Sequence, residues 1–461
     1  MAKITISVIK ADVGSIGGHI KPSKEMLEAV EEEVKKKGKG LIIDYYVGHA
    51  GDDISILTTH KRGVGNKEIH KLCYDALLKA TEIAKSQGLY GAGQDLLVSA
   101  FSGNVKGMGP QVAEMEIEER EAEPFLFFMA DKTEPGAFNL PLYLAFSDPM
   151  YCAGLILSPT LKKGFKFVIM DVSYTEADKV IELVTPEEIY DIAILLREPG
   201  RFVVESIFSR ATGEQIVAAS TTRLHNIAGK YVGKDDPVML VRTQKDFPAT
   251  GEILAPYALG YYVSGFMRGS HIGPLMPVKA NSTISFFDGP PVVSCLAFSM
   301  KNGKLTGPVD CFDHPFWDEV RREAAKKAIE IRKQGFYGAA MLPMEELEYT
   351  GIVEELKKLE KRFKIRKWKM KVLKARIREK KAKTLLKEGK IPAVLYGPGI
   401  ENLNLEINEK EIEKILRERN SPIVLKVEDK EYQVLIKEIQ REPIKGKIIH
   451  IDFYKPSQND A

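Results

Sequence analysis

Cysteine is scarce in this chain, and the few present do not pair. Cys73, Cys152, Cys295 and Cys311 stand far apart with no CxxC spacing, which argues against a zinc knuckle and a disulfide framework and fits isolated thiols in a reducing compartment. Long apolar runs are also missing: none reaches the roughly 18 residues that read as a membrane span. The start, Met1-Ala2-Lys3-Ile4-Thr5-Ile6, alternates like a strand and lacks signal-peptide character. The expectation is a cytoplasmic protein with no membrane partner. No internal repeat or low-complexity tract is present.

What is present is length and an uneven charge. The 461 residues, 44% of them hydrophobic, exceed what one core usually supports, so two or more domains are expected. Lys364 to Lys390 holds 13 Lys or Arg against Glu379 and Glu388. The tail from Lys364 has 24 basic and 15 acidic residues, a net +9, which leaves −6 for the body of a chain whose total is +3. An isolated basic run is usually a solvated helix face. An excess of eleven positive charges within 27 residues repels itself unless an anion is present, which makes nucleic acid the expected partner.

Periodicity gives the body an α+β or α/β character. Strand-like runs at Lys3 to Lys10, Leu41 to Val47, Ile54 to Thr59, Phe125 to Met129, Phe165 to Val172, Phe202 to Ser209 and Pro291 to Ser299 mix with helical patterns at Ser23 to Lys37, Asn66 to Gln87 and Phe316 to Gln334. Strands outnumber long helices, which predicts large sheets covered by helices. The charged segment Glu345 to Arg362 closes this body and runs into the basic stretch without a Gly/Ser linker. Beyond it the sequence predicts a helix over Arg376 to Lys387, another over Asn408 to Arg419, and strands at Ile423 to Val427, Tyr432 to Ile439 and Ile448 to Phe453.

The residues richest in chemistry are Tyr231-Val232-Gly233-Lys234-Asp235-Asp236-Pro237. An amine beside two carboxylates and near a phenol suits Schiff-base chemistry with a proton carrier, and adjacent aspartates suit hard cations. The same residues also describe a solvated turn. Further acidic sets occur at Asp12 with His19 on a Gly-rich loop, at Asp52-Asp53, and at Asp131-Lys132 directly after an apolar strand. Carboxylates gathered in one cleft repel unless a cation lies between them. The Gly-rich loop Ser102 to Pro110, with Lys106, offers backbone N–H groups to a phosphate, although glycine-rich loops are weak signals alone.

Together these residues carry a resemblance. Asp12 and His19, Gly51-Asp52-Asp53, Tyr90-Gly91-Ala92-Gly93-Gln94-Asp95, Ser102-Gly103-Asn104, Asp131-Lys132, Tyr231 to Pro237, Gln244, Phe247 to Glu252, Arg268, Asp288 to Pro291 and Tyr349 make residues 1–363 resemble the bifunctional fructose-1,6-bisphosphate aldolase/phosphatase family of archaea and deeply branching bacteria. The resemblance implies an α+β fold, a layered α-β-β-α sandwich, assembled as a homo-octamer. It implies a gluconeogenic site in which Lys234 forms a Schiff base with dihydroxyacetone phosphate while Tyr231 moves the proton and glyceraldehyde 3-phosphate adds. Hydrolysis of the 1-phosphate would then use several Mg²⁺ ions held by Asp12, His19, Asp52, Asp53, Gln94, Asp131, Asp235 and Asp236, with Asp12 as candidate base. His19, Tyr90, Gly103, Asn104, Lys132, Gln244, Arg268, Asp288 and Tyr349 would position the sugar phosphates.

The tail carries a second resemblance. Leu373 to Arg376, Leu386 to Gly397, Val434 to Arg441 and His450 to Phe453 make residues 371–457, after a basic linker at 364–370, resemble the ribosomal protein L25 family. That implies a small β-barrel with helices that binds 5S rRNA through Arg376, Arg378, Lys380, Lys387, Tyr396 and His450, and hence ribosome association. The reading of the whole is an enzyme with an RNA-binding tail. The alternative is a ribosome-associated 5S rRNA-binding protein whose enzyme body is inactive or a phosphatase only. The join itself fits a gene fusion without functional coupling or an artefact of gene calling.

Overall fold

The computed structural model describes residues 3–96, 110–174, 178–220, 222–223, 235–263, 273–284, 290–333, 351–365, 371–378, 380, 382–397, 400–412, 423–428, 430–441 and 447–455. The chain divides into two compact units, with the change at Ile365.

In the first unit the strands are β1 (Lys3–Asp12), β2 (Asp44–Ala50), β3 (Asp53–His60), β4 (Gln111–Glu118), β5 (Glu123–Asp131), β6 (Phe165–Asp171), β7 (Lys179–Val184), β8 (Phe202–Ser209), β9 (Gln215–Ala219), β10 (Thr222–Arg223), β11 (Val238–Arg242), β12 (Tyr262–Val263), β13 (Gly273–Pro274), β14 (Met276–Pro277), β15 (Val292–Lys301), β16 (Lys304–Asp310) and β17 (Lys364–Ile365). The helices are α1 (Lys24–Lys37), α2 (Lys67–Ser86), α3 (Asn139–Ser147), α4 (Gly154–Leu157), α5 (Ile189–Leu196), α6 (Thr250–Leu254), α7 (Phe316–Lys333) and α8 (Gly351–Glu360). Five strands form one sheet in the order β10-β4-β1-β3-β2. Ten form a second, in the order β14-β15-β5-β11-β9-β8-β6-β7-β17 with β16 beside β15, and β12 pairs with β13 in a third.

Alternation along the strands explains the stacking. On β5, Phe125, Phe127 and Met129 join Ile4, Ile6 and Val8 of β1 in a core between the sheets. Leu126, Phe128 and Ala130 point the other way, into a core with Leu142 and Phe146 of α3, Ile192 of α5 and Leu356 of α8. Each such side chain contributes roughly 1.5–3 kcal/mol on burial. Helices α1 and α2 pack on each other and against β2 and β1 on the far side of the small sheet. The unit is therefore α+β with helices outside two facing sheets.

The two long helices start where side chains satisfy their first N–H groups. Ser23 accepts from Met26 N–H, and Asn66 accepts from the N–H groups of Glu68 and Ile69. Apolar spacing then keeps one stripe inward: Met26, Val30 and Val34 on α1, and Ile69, Leu72, Cys73, Ala76, Leu77 and Ala80 on α2.

The second unit is a closed barrel. Its strands are β18 (Lys371–Ile377), β19 (Lys390–Tyr396), β20 (Leu403–Asn408), β21 (Ile423–Val427), β22 (Lys430–Arg441) and β23 (Ile448–Tyr454), with helix α9 (Ala382–Lys387). The order β18-β20-β19-β23-β22-β21 closes through parallel pairing of β18 with β21, which leaves no free sheet edge. Leu373, Leu395, Leu405, Leu425, Ile451 and Phe453 fill it.

One expectation is corrected here. The helix expected from Arg376 begins only at Ala382, because Lys371–Ile377 is a barrel strand. Leu373 and Ala375 are buried while Lys374 and Arg376 are exposed, a period of two that no helix produces. Lys364–Ile365, at the start of the expected linker, pairs with β7 in the first unit.

Candidate active site

The alternation that fills the space between the sheets also delivers carboxylates to one end of it. On β1 the inward row Ile4, Ile6, Val8 continues to Lys10 and Asp12. On β3 the row of Leu57 ends at Asp53, and on β5 the row of Phe125, Phe127 and Met129 ends at Asp131. The row of Leu240 and Val238 on β11 leads back to Asp236. Register aligns these ends, with Asp12 opposite Asp53 and Met129 opposite Val238.

Two compact groups result. The ligand atoms of Asp12, His19 and Asp52 lie within 4.8 Å of one another, as do those of Asp53, Asp131 and Asp236. Lys132 bridges the centre, donating to Asp52 Oδ1 at 2.7 Å and lying 3.0 Å from Asp131 Oδ1 as an ion pair without hydrogen-bond geometry. His19 Nδ1 is 3.2 Å from Asp52 Oδ2, and Tyr90 meets the His19 ring edge-on at 5.1 Å. Asp236 Oδ1 accepts from Thr133 N–H at 2.6 Å.

The backbone is held in costly conformations to achieve this. Lys132 and Asp236 have φ of 60° and 58°, a region that non-glycine residues seldom adopt. Gly51 has φ of 55°, and a Cβ there would overlap Asp131 Oδ2. The close approach of Asp131 requires glycine at that position.

Burial and mutual repulsion dominate the electrostatics. Burial, with the neighbouring Asp52 and Asp53, pushes the Asp131 carboxyl up to about 8 against the pull of Lys132. Burial likewise raises Asp12 and Asp236 well above the carboxylate range, with the charges of neighbouring aspartates adding to it. Asp52 goes the other way: burial opposes ionisation, but Lys132 and His19 outweigh it. This donor set fits a divalent cation. Its ligands are buried carboxylate oxygens in two groups, joined in one of them by the half-buried His19 nitrogen, and a cation relieves the repulsion that the raised carboxyls express.

A pH dependence follows with a definite sign. A carboxyl raised on folding binds more protons in the folded state between its two values, so stability falls as pH rises through that window. For Asp131 the window runs from 3.8 to about 8. Thermal unfolding in EDTA is expected to show stability declining across it, and added Mg²⁺ to flatten the decline. A metal-free profile that rises with pH would contradict this reading.

The other expected residues divide into three sets. Gln94 is buried beside Asp12: Gly93 N–H donates to Val13 O at 3.0 Å, and Asp12 N–H donates to Asp95 Oδ2 at 2.8 Å. Asp235 is buried and its carbonyl accepts from Gln111 Nε2, but it stands outside both three-residue groups. Gln244 is not brought to the carboxylates. It follows the far end of β11, where Arg242 pairs with Phe125, six β5 residues from Asp131 and hence roughly 20 Å away. Tyr231, Lys234, Gly103, Asn104, Arg268, Asp288 and Tyr349 lie outside the described residues.

In the barrel, Arg376 and Lys380 are exposed and Arg378 half-buried, while Lys380 donates to Glu388 at 2.7 Å. Tyr396 packs edge-on against Tyr454, and His450 Nδ1 lies 2.9 Å from Asp452 Oδ1. Lys387 ends α9, and its side chain is outside the described set.

Sequence reasoning passed over Lys10 and Gln111 and gave Asp95 no role of its own. Lys10 had a readable signal, a lysine on the inward row of an otherwise apolar strand.

Residues 3–364 match the fructose-1,6-bisphosphatase family model, and residues 373–453 match that of the ribosomal L25p family. The fructose-1,6-bisphosphate aldolase/phosphatase of Thermus thermophilus is 60% identical over 361 residues, covering 78% of this chain and 99% of that protein. Those of Ignicoccus hospitalis and Cenarchaeum symbiosum are 51% identical over 364 residues and 54% over 348, covering 78% and 76% of this chain and 93% and 91% of theirs. With its carboxylate centre inside the matched segment and its barrel inside the other, the chain belongs to the fructose-1,6-bisphosphatase family and carries a ribosomal L25p domain at its C-terminal end.

Proposed function

We propose that residues 1–363 condense dihydroxyacetone phosphate with glyceraldehyde 3-phosphate to fructose 1,6-bisphosphate, then hydrolyse the 1-phosphate to give fructose 6-phosphate and phosphate. The observation that carries this reading is the pair of buried acidic groups at the inter-sheet row ends, in a chain whose relatives bear that bifunctional name. Lys234 directly precedes Asp235 in the sequence.

In the condensation the Lys234 amine attacks the ketone carbon of dihydroxyacetone phosphate and water leaves. Tyr231 takes a proton from the adjacent carbon, which attacks the aldehyde of glyceraldehyde 3-phosphate. Tyr231 gives the proton to the aldehyde oxygen, and water then releases fructose 1,6-bisphosphate from the amine. The Lys132 ammonium, held by Asp52, would position the substrate phosphate. In hydrolysis Asp12 receives a proton from the attacking water. Mg²⁺, when bound by Asp12, His19, Asp52, Asp53, Gln94, Asp131, Asp235 and Asp236, neutralises charge on the departing phosphate. Gln244 would need to reach substrate from outside this centre. A silent enzyme body is not favoured, since relatives that the chain covers across 99% and 93% of their length are named for both activities, and of the expected metal ligands all but half-buried His19 are buried. Assaying both reactions in the full chain with Mg²⁺ added and removed tests the reading. Loss of neither reaction on chelation would overturn it.

The second unit, residues 371–457 after the join at 364–370, is assigned to 5S rRNA binding through Arg376, Arg378, Lys380, Lys387, Tyr396 and His450. The working assembly is a cytoplasmic homo-octamer with ribosome association. Among the described residues no helix is long and apolar enough to cross a membrane. Phosphate contacts make RNA affinity steeply salt-dependent. Arg376→Ala is expected to weaken 5S rRNA binding and reduce the slope of log affinity against log salt by about 1 in filter-binding titrations.

A further inference from the structure

Lys10 is the inward residue that no step above uses. Its side chain is fully buried between the sheets. The ammonium donates to Ala130 O and to Asp236 O, each at 2.7 Å, and pairs with Asp53 Oδ2. An ammonium has three N–H donors, and three acceptors surround this one. Ala130 O belongs to β5 and Asp236 O to the segment entering β11, where Ala130 N–H also donates to Pro237 O at 3.0 Å. Lys10 itself comes from β1 of the small sheet.

We propose that Lys10 is a positioning residue that serves as a built-in cation of the carboxylate centre, tying the small sheet to the large one and fixing the Asp53, Asp131 and Asp236 group for divalent metal. This rests on the metal-dependent reading above and adds to it a fixed charge beside the carboxylates. Two backbone carbonyls and a carboxylate are themselves a cation's ligand set. Here a tethered ammonium fills it, so that position is not left for an exchangeable ion. The carbonyl of Asp236 is held in place with its carboxylate turned to the metal side. The left-handed φ of 58° at Asp236 is then maintained by a bond to its own carbonyl.

The test is Lys10→Ala in the full-length chain, with Mn²⁺ binding followed by electron paramagnetic resonance and phosphate release followed against Mg²⁺ concentration. Loss of a partner that orients ligands is expected to weaken Mn²⁺ binding about 10- to 100-fold. The Mg²⁺ needed for half-maximal hydrolysis should rise in parallel, while the KM for fructose 1,6-bisphosphate at saturating Mg²⁺ changes little. Methylammonium, which fits the vacated space, should restore Mn²⁺ affinity where tetramethylammonium does not. A folded Lys10→Ala protein with wild-type Mn²⁺ affinity, or one whose lost affinity methylammonium leaves unchanged, overturns the proposal. Should the alanine variant fail to fold, Lys10→Met keeps the stem and removes the charge, and wild-type Mn²⁺ affinity in that variant overturns it equally. A wild-type protein indifferent to divalent metal would instead defeat the underlying reading, a result distinct from either.

Discussion

Lys234→Ala is expected to lower condensation of the two triose phosphates by roughly 10³-fold or more, the scale on which enzymes lose rate when a covalent nucleophile is removed. Hydrolysis of supplied fructose 1,6-bisphosphate should survive at a measurable rate, because the carboxylates and Lys132 remain in place. Lys234→Arg should fail equally in condensation. A guanidinium stays protonated near neutral pH and offers no free electron pair to the ketone. The amine of Lys234 has the opposite prospect: cations, if bound by Asp235 and Asp236 next to it in sequence, would repel a proton from it and leave more of it free. Coupled assays that report fructose 1,6-bisphosphate formation and phosphate release separately read the two rates in one preparation. Parallel loss of both would mean that Lys234 supports the site rather than reacting in it.

Gly51→Ala is expected to reduce Mg²⁺-dependent phosphate release by at least about 10²-fold, the cost that a displacement on the order of 1 Å carries at a reacting centre. The new methyl group would overlap Asp131 Oδ2 and come within 2.7 Å of Ile284 Cγ2. Asp131 has little room to yield, since Oδ2 accepts from Asp52 N–H at 3.3 Å and the side chain is fully buried. Gly65→Ala separates geometry from backbone strain. Gly65 has a similar φ of 67° with nothing near its missing Cβ, so that variant should lose only about 1–2 kcal/mol of stability and keep its activity. Phosphate release and bound Mn²⁺ measured on both variants decide the point. Equal effects from the two substitutions would contradict the close approach to Asp131.

Local rules made much of the fold legible. Ser23 and Asn66 mark helix starts because a side-chain oxygen before an apolar stripe satisfies N–H groups that would otherwise lack partners. Strands β1, β3, β5 and β8 announce themselves by their apolar runs. Strands β4, β7, β9 and β11 were not anticipated. Gln111–Glu118 alternates with glutamates, and β11 is only five residues long, so their identity comes from the strands they pair with. At β18 the density of Lys and Arg concealed the alternation of Leu373 and Ala375, and a strand was read as the start of a helix.

The site was legible in composition and opaque in geometry. Asp12, Asp52, Asp53, Asp131 and Asp236 are recognisable as carboxylates at strand ends, but nothing local states that four rows converge on two cation-sized groups. Lys10 escaped because surface lysines are the common case, and only the inward row of β1 marks this one as buried. Gln244, expected to position the sugar phosphates, stands apart from this carboxylate centre. It lies eight residues beyond Asp236 in sequence, and an extended strand carries it away from the carboxylates.

In the proposed reaction cycle one lysine, Lys234, links carbon chemistry to metal-dependent hydrolysis. The most direct measurement is borohydride reduction of the full-length protein with dihydroxyacetone phosphate and Mg²⁺, followed by intact-mass analysis and peptide mapping. The account predicts one reduced triose phosphate adduct per chain, located at Lys234 and absent from Lys234→Ala. A protein that catalyses condensation but gives no adduct, or gives it at another lysine, would contradict it.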